Sequence, residues 1–298
     1  MELREFIPQV FELHAAGEYE DARQILVDAT PHVLAEDHQT IAFYRICLDA
    51  LTAREGEALD RLEHSLDRGW WFGREMLADH DLDSIREDRR FQAVATRTDE
   101  LQVAAWREPC EPIISVPSGK IRGTIVALPA NAGRSTHTAR MWAPAVGLGY
   151  RVIAVESSQK VTADRAIWGD LNQSIADVTS QLSNATSHVI LAGRSLGAAV
   201  VFHLATASIV PASGLILVAP TLRWDLIEPQ QQIPTVMLAG EDDTDRLKMA
   251  AQNAADHLRS AGSPVDHQVV SGMGHFYPDN FEALLTDALE WMEAQLAG

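Results

Sequence analysis

A serine hydroxyl becomes a nucleophile when the backbone lifts it clear of its neighbours and a base takes its proton. Ser195 meets the first condition in its local sequence. It stands in Gly193-Arg194-Ser195-Leu196-Gly197, after the apolar run His188-Val189-Ile190-Leu191-Ala192 and before the helix-forming run from Ala198 to Ala205. A strand that turns into a helix through G-x-S-x-G is a nucleophile elbow. Such a turn leaves almost no room for side chains two residues either side of the serine, and Gly193 and Gly197 have none. The hydroxyl then sits at a helix N-terminus, whose dipole favours developing negative charge. Two later segments hold groups that could complete the chemistry. Ser271-Gly272-Met273-Gly274-His275-Phe276 puts a histidine among small residues, in a loop before the closing helix. Glu241-Asp242-Asp243 follows the apolar strand Thr235-Val236-Met237-Leu238. Taken alone, that acidic run serves equally well as an N-cap for the next helix. His203, on the helix behind the serine, reads as a packed histidine. His137, after the first strand-to-helix loop, reads as a surface helix position that could line a pocket.

The elements that must position these groups alternate in period. Gly123 to Leu128, Tyr150 to Val155, Val189 to Ala192, Leu215 to Val218, Thr235 to Leu238 and Val265 to Val270 read as strands, and Ile113 to Val116 could precede them. Helical patterns fall between them, at Ala139 to Val146, Ile167 to Leu182, from just after Ser195, Asp245 to Ser260 and Phe281 to Leu296. Short apolar strands alternating with helices predict a parallel sheet with crossover helices. Before residue 109 the period is helical throughout. Ile41, Tyr44, Cys47, Leu48 and Leu51 form one stripe, and Leu59, Leu62 and Leu66 another. With Pro109, Pro112 and Pro117 as the linker, this predicts an all-α domain over 1–108 and an α/β domain over 109–298.

Composition narrows the class. The 298 residues are 46% hydrophobic and 22% charged, which is ordinary for a globular protein. A formal net charge of −18 repels phosphate backbones and anionic lipid, so neither nucleic acid nor a membrane surface is an expected partner. Two distant cysteines make no disulfide framework: Cys47 reads as a packed thiol and Cys110 as a linker residue. The N-terminus lacks a signal-peptide pattern and no run reaches the ~18 apolar residues of a membrane span, which leads to a cytoplasmic expectation. With no G-x-G-x-x-G, P-loop or H-E-x-x-H, no metal or organic cofactor is expected.

The elbow, the acidic run after a strand and the loop histidine together resemble the α/β-hydrolase superfamily over residues 111 to 298. The flavour is closest to its dienelactone hydrolase and carboxylesterase branch, because only Thr221 to Ile233 separates two strands where relatives insert a lid. The resemblance implies the order nucleophile, acid, histidine: Ser195, then Asp243 from the family's Gly-x-x-Asp with Asp242 as runner-up, then His275. It implies an oxyanion hole from the amides of Leu196 and, in the register of the family's His-Gly-Asn-Gly-Gly, Asn131; here Pro129-Ala130 replaces the His-Gly. Trp168, Trp224 and Met273 are candidate pocket residues, as are Ser157-Ser158-Gln159 and Trp168-Gly169-Asp170, which are similar to pairs in some bacterial esterases. The implied activity is cleavage of a carboxylic ester or related acyl compound through an acyl-enzyme, on a small-molecule substrate. The absence of an inserted lid, with Trp168, Trp224 and Met273 near the expected pocket, leads to an expectation of short or medium acyl groups.

The first half resembles a divergent tetratricopeptide array through Gly17-Glu18-Tyr19-Glu20-Asp21-Ala22, a shortened echo at Gly56-Glu57-Ala58-Leu59, and an ending at Asp81-Leu82-Asp83 through Arg90-Phe91. A plain helical bundle satisfies the same pattern. The array reading implies a possible protein partner, and with it the alternative of a catalytically retired scaffold. The adjacent Trp70, Trp71 and Phe72 cannot all face one helical core, so at least one is expected to meet another surface.

Overall fold

Small side chains at the contact faces let the N-terminal helices pack in consecutive pairs. The computed structural model describes residues 1–108, 110–182, 188–222 and 232–297, and the chain divides into two units. In the first unit α1 (Ile7–Ala15) pairs with α2 (Tyr19–Ala29), and α3 (His38–Leu51) with α4 (Glu55–Asp67), followed by α5 (Arg74–Leu77) and α6 (Arg89–Ala105). Gly17 turns α1 into α2 at φ 77°, a conformation that costs other residues a clash at Cβ. Ala22 and Ala58 are wholly buried at the helix contacts. One apolar cluster gathers Ile7, Val10, Leu26, Ile41 and Leu48, and another Phe43, Ile46, Cys47, Leu62, Phe72 and Phe91. Between α2, α3 and α4 the fully buried Asp49 accepts hydrogen bonds from Arg23 Nε at 2.5 Å and Arg61 Nε at 3.1 Å. The three adjacent aromatics separate: Phe72 stacks near Phe43 at 5.1 Å, Trp70 lies under the Arg68 guanidinium, and Trp71 is buried.

One segment departs from a boundary at 108/109. Lys160–Asp164 groups with the helical unit, because Gln102 Nε2 and Trp106 Nε1 both donate to the Lys160 carbonyl and the Gly73 amide donates to Val161. Those backbone partnerships are invisible to a linear reading of residue types.

The second unit is built on a sheet of β1 (Ile113–Ser115), β2 (Gly123–Leu128), β3 (Tyr150–Ala154), β4 (Val189–Arg194), β5 (Gly214–Val218), β6 (Thr235–Gly240) and β7 (Val265–Val270). Their order is β1-β3-β2-β4-β5-β6-β7, with β1 antiparallel to β3 and every other pairing parallel. The helices are α7 (Ser135–Gly147), α8 (Leu171–Ser180), α9 (Leu196–Thr206), α10 (Asp245–Ser260) and α11 (Phe281–Ala297). Successive strand residues point to opposite faces, so Val126, Leu191, Leu217 and Met237 pack with α8, α9 and α10. Ile125, Ile190, Ile216 and Val236 pack with Trp142 of α7 and Phe281 and Leu285 of α11. Both faces are covered, as a parallel sheet with crossovers requires. Right-twisted parallel strands end together at one edge, and the β4, β6 and β7 ends carry the elbow, the acidic run and the histidine loop. Among the described residues no helix is long and apolar enough to cross a membrane.

Candidate active site

Ser195 sits between β4 and α9 at φ 54°, ψ −123°, a backbone that non-glycine residues rarely adopt. The surroundings enforce it. The Ser195 amide donates to the Val218 carbonyl at 3.0 Å, and its own carbonyl accepts from the Ala198 and Thr221 amides at 3.1 Å. A Cβ on Gly197 would lie 2.2 Å from the Pro129 carbonyl oxygen, and one on Gly193 would lie 2.6 Å from the Gly197 carbonyl carbon. Both glycines are therefore demanded by the close approach of backbone to backbone.

The structure brings Ser195, His275 and Asp243 into one hydrogen-bonded chain. Ser195 Oγ lies 2.8 Å from His275 Nε2, and His275 Nδ1 lies 2.7 Å from Asp243 Oδ2. A carboxylate only accepts, so Nδ1 carries the ring proton; Nε2 is then the acceptor and the serine hydroxyl donates to it. The Asp243 side chain is 6% exposed and that of His275 34%. Burial opposes the charged form of Asp243. The hydrogen bond and charge of His275, the Thr244 amide and the nearby Lys248 outweigh it, holding the carboxyl below its ordinary range. Asp242 is exposed, and its amide donates to the Met273 carbonyl at 2.9 Å. That bond ties the acid loop to the histidine loop, and Gly240 allows it, since a Cβ there would meet the same carbonyl oxygen at 2.3 Å.

The remaining predicted residues divide. Leu196 opens α9, where first-turn amides have no intrahelical acceptor and point outward. Asn131 is exposed in the turn after β2, whose Ala132 has φ 53°. Trp168 fixes that loop from behind: its amide donates to Asn131 Oδ1 at 3.1 Å and its indole N–H to the Pro129 carbonyl at 2.9 Å. With no exposed surface, Trp168 braces the loop from within the core and does not line an open pocket. Met273 is likewise a core residue, 2% exposed and packed in the apolar cluster with Val236 and Leu238. Trp224 and most of the short stretch Thr221 to Ile233 lie outside the described residues. Ser157, Ser158 and Gln159 form a buried polar network: the two serines with Asp177, and Gln159 with Ser174 and Asp170. His203 is partly buried, which pushes its imidazole below its ordinary value, and His137 packs 5.9 Å from Tyr277.

Two residues escaped the sequence reading. Arg194 donates through Nη1 to the His275 carbonyl at 2.6 Å, with its guanidinium over the Phe276 and Tyr277 rings. Burial pushes that guanidinium below its ordinary value. An arginine at the end of an apolar strand was the available signal. Thr221, just beyond β5, places Oγ1 3.3 Å from Ser195 Oγ and 3.3 Å from His275 Nε2. No feature of its local sequence marks it.

Residues 2–105 match the family model of the A/B hydrolase-like, N-terminal domain. No curated protein matches the sequence significantly. Among solved structures, an uncharacterized protein from Bacillus cereus ATCC 10987 is similar at 20% identity and a TM-score of 0.53, covering 98% of this chain and 100% of its own. A structure of Est1E from Butyrivibrio proteoclasticus with ferulic acid bound is similar at 14% identity and a TM-score of 0.51, covering 63% of this chain and 96% of its own. The second unit thus carries the α/β-hydrolase fold, and residues 2–105 are similar to the N-terminal domain described by the A/B hydrolase-like family model.

Proposed function

We propose that this protein is a serine hydrolase that cleaves a carboxylic ester or related acyl compound through an acyl-enzyme. The observation that carries this reading is the continuous chain Ser195 Oγ–His275 Nε2–His275 Nδ1–Asp243 Oδ2 at 2.8 and 2.7 Å. His275 takes the serine proton as Oγ attacks the carbonyl carbon. Asp243 holds the tautomer and stabilises the imidazolium. The amides of Leu196 and Asn131 receive the oxyanion, and the strained Ser195 backbone keeps the nucleophile clear of α9. His275 returns the proton to the leaving alcohol. Water then repeats the sequence on the acyl-enzyme.

A fluorophosphonate probe tests the nucleophile directly. The wild type is expected to label at Ser195. Ser195→Ala is expected to lose labelling, and both Ser195→Ala and His275→Ala to lose about 10⁴-fold in turnover of a p-nitrophenyl ester while remaining folded. Labelling that survives Ser195→Ala would assign the nucleophile elsewhere, and a folded wild type inert to both reagents would favour the retired scaffold. A panel of acyl chain lengths then tests the preference for short and medium groups.

A further inference from the structure

Thr221 is held in place by its own backbone, its amide donating to the Ser195 carbonyl at 3.1 Å. Its hydroxyl is equidistant, at 3.3 Å, from the two atoms that exchange a proton, Ser195 Oγ and His275 Nε2. That distance is long for an O–H···O bond, so Thr221 contributes little to holding the resting serine. Ser195 already occupies the Nε2 lone pair at 2.8 Å, which leaves Thr221 no direct role in the first proton transfer.

We propose that Thr221 acts in the second half of the reaction, where its hydroxyl orients the water that hydrolyses the acyl-enzyme. This rests on the reading of Ser195, His275 and Asp243 as a triad. Once Ser195 Oγ is acylated and the leaving group has gone, the Nε2 lone pair is open. A water that enters gives one hydrogen to Nε2 and must aim a lone pair at the carbonyl carbon attached to Oγ. Its second hydrogen then needs an acceptor beside both Oγ and Nε2, and Thr221 Oγ1 is there. The water oxygen bonds to the carbonyl carbon and its proton passes to Nε2. The carbon–Oγ bond then breaks, the proton returns from Nε2 to Oγ, and the free acid leaves. Fixing both hydrogens of the water lowers the entropy that attack must supply.

The test is stopped-flow cleavage of p-nitrophenyl acetate by the full-length protein, which separates acylation (the nitrophenolate burst) from deacylation (the steady rate). In Thr221→Val the acylation rate is expected to stay within about 3-fold and deacylation to fall about 10- to 100-fold, the loss expected for one hydrogen bond to a reacting group. The acetylated protein should accumulate in acid-quenched samples. Thr221→Ser should recover deacylation by restoring the hydroxyl. Thr221→Ala, which leaves space for a second water at the Oγ1 position, is expected to fall less than Thr221→Val, and it carries the same test should the valine variant fail to fold. Unchanged deacylation, or equal losses in both phases, overturns the proposal. Fluorophosphonate labelling of the wild type separates the two readings: labelling at Ser195 with unchanged deacylation in Thr221→Val removes the role of Thr221 alone, whereas no labelling removes the triad and this role together.

Discussion

Replacing Asp243 by asparagine removes one charge from the site while keeping the side chain's shape. When His275 takes the serine proton, the positive ring faces the carboxylate across the 2.7 Å Nδ1···Oδ2 contact. Charge centres about 4 Å apart at an effective dielectric of about 20 interact by about 4 kcal/mol. That is roughly 10³ in rate. The low exposure of the Asp243 side chain, 6%, limits screening on its side, and the one-third-exposed ring admits some on the other. An asparagine amide can also donate to Nδ1 and select the wrong tautomer, so the expected loss in kcat/KM on a p-nitrophenyl ester is about 10³- to 10⁴-fold. Asp242→Asn, an exposed position whose structural contact is made by its backbone, should stay within about 2-fold. The carboxyl of Asp243 is held below its ordinary value, so it stabilises the folded protein above the unfolded-state value of about 4, and that contribution is lost as pH falls through the lower folded value. The Tm difference between wild type and Asp243→Asn should therefore be largest near neutrality and close below about pH 4. If Asp242→Asn costs more activity than Asp243→Asn, or if Asp243→Asn keeps a tenth of the wild-type rate, the electrostatic argument is wrong.

Three further outcomes are expected. Gly197→Ala places a Cβ 2.2 Å from the Pro129 carbonyl oxygen, so the elbow and the loop after β2 cannot both keep their positions, and fluorophosphonate labelling should be abolished or the protein should not fold. Arg194→Met keeps much of the apolar stem but removes the donor to the His275 carbonyl; a cost of about 2 kcal/mol lowers Tm by roughly 4 to 8 °C in calorimetry, and kcat should fall more than KM changes. Asp49→Asn leaves Arg23 and Arg61 without their shared buried carboxylate, and thermal unfolding should show a loss of about 3 kcal/mol; a change under about 0.5 kcal/mol would mean that the pair is compensated by other contacts.

Local steric demands made the elbow legible from residues alone. The close approach of backbone to backbone around the turn needs glycine at Gly193 and Gly197, and the apolar run before it reads as a buried strand. The strands and crossover helices were legible for a related reason: a parallel sheet covered on both faces writes near-continuous apolar runs, and amphipathic helices write a period of 3.6 between them. The acid was different. Asp242 and Asp243 are neighbours of one chemical type, and either can cap α10. Only the fold turns Asp243 toward His275 Nδ1 and leaves Asp242 in solvent, because the Asp242 amide is fixed to the Met273 carbonyl. Trp168 reads as a pocket residue through its resemblance to a motif of bacterial esterases, and Met273 through its place two residues before His275. The tertiary packing buries both, since the loops they support need a rigid apolar backing. Arg194 and Thr221 approach His275 from 81 and 54 residues away in the chain. Contacts at that separation exist only once β4, β5 and the loop after β7 meet at one edge of the sheet, and no period, spacing or motif in the sequence encodes them.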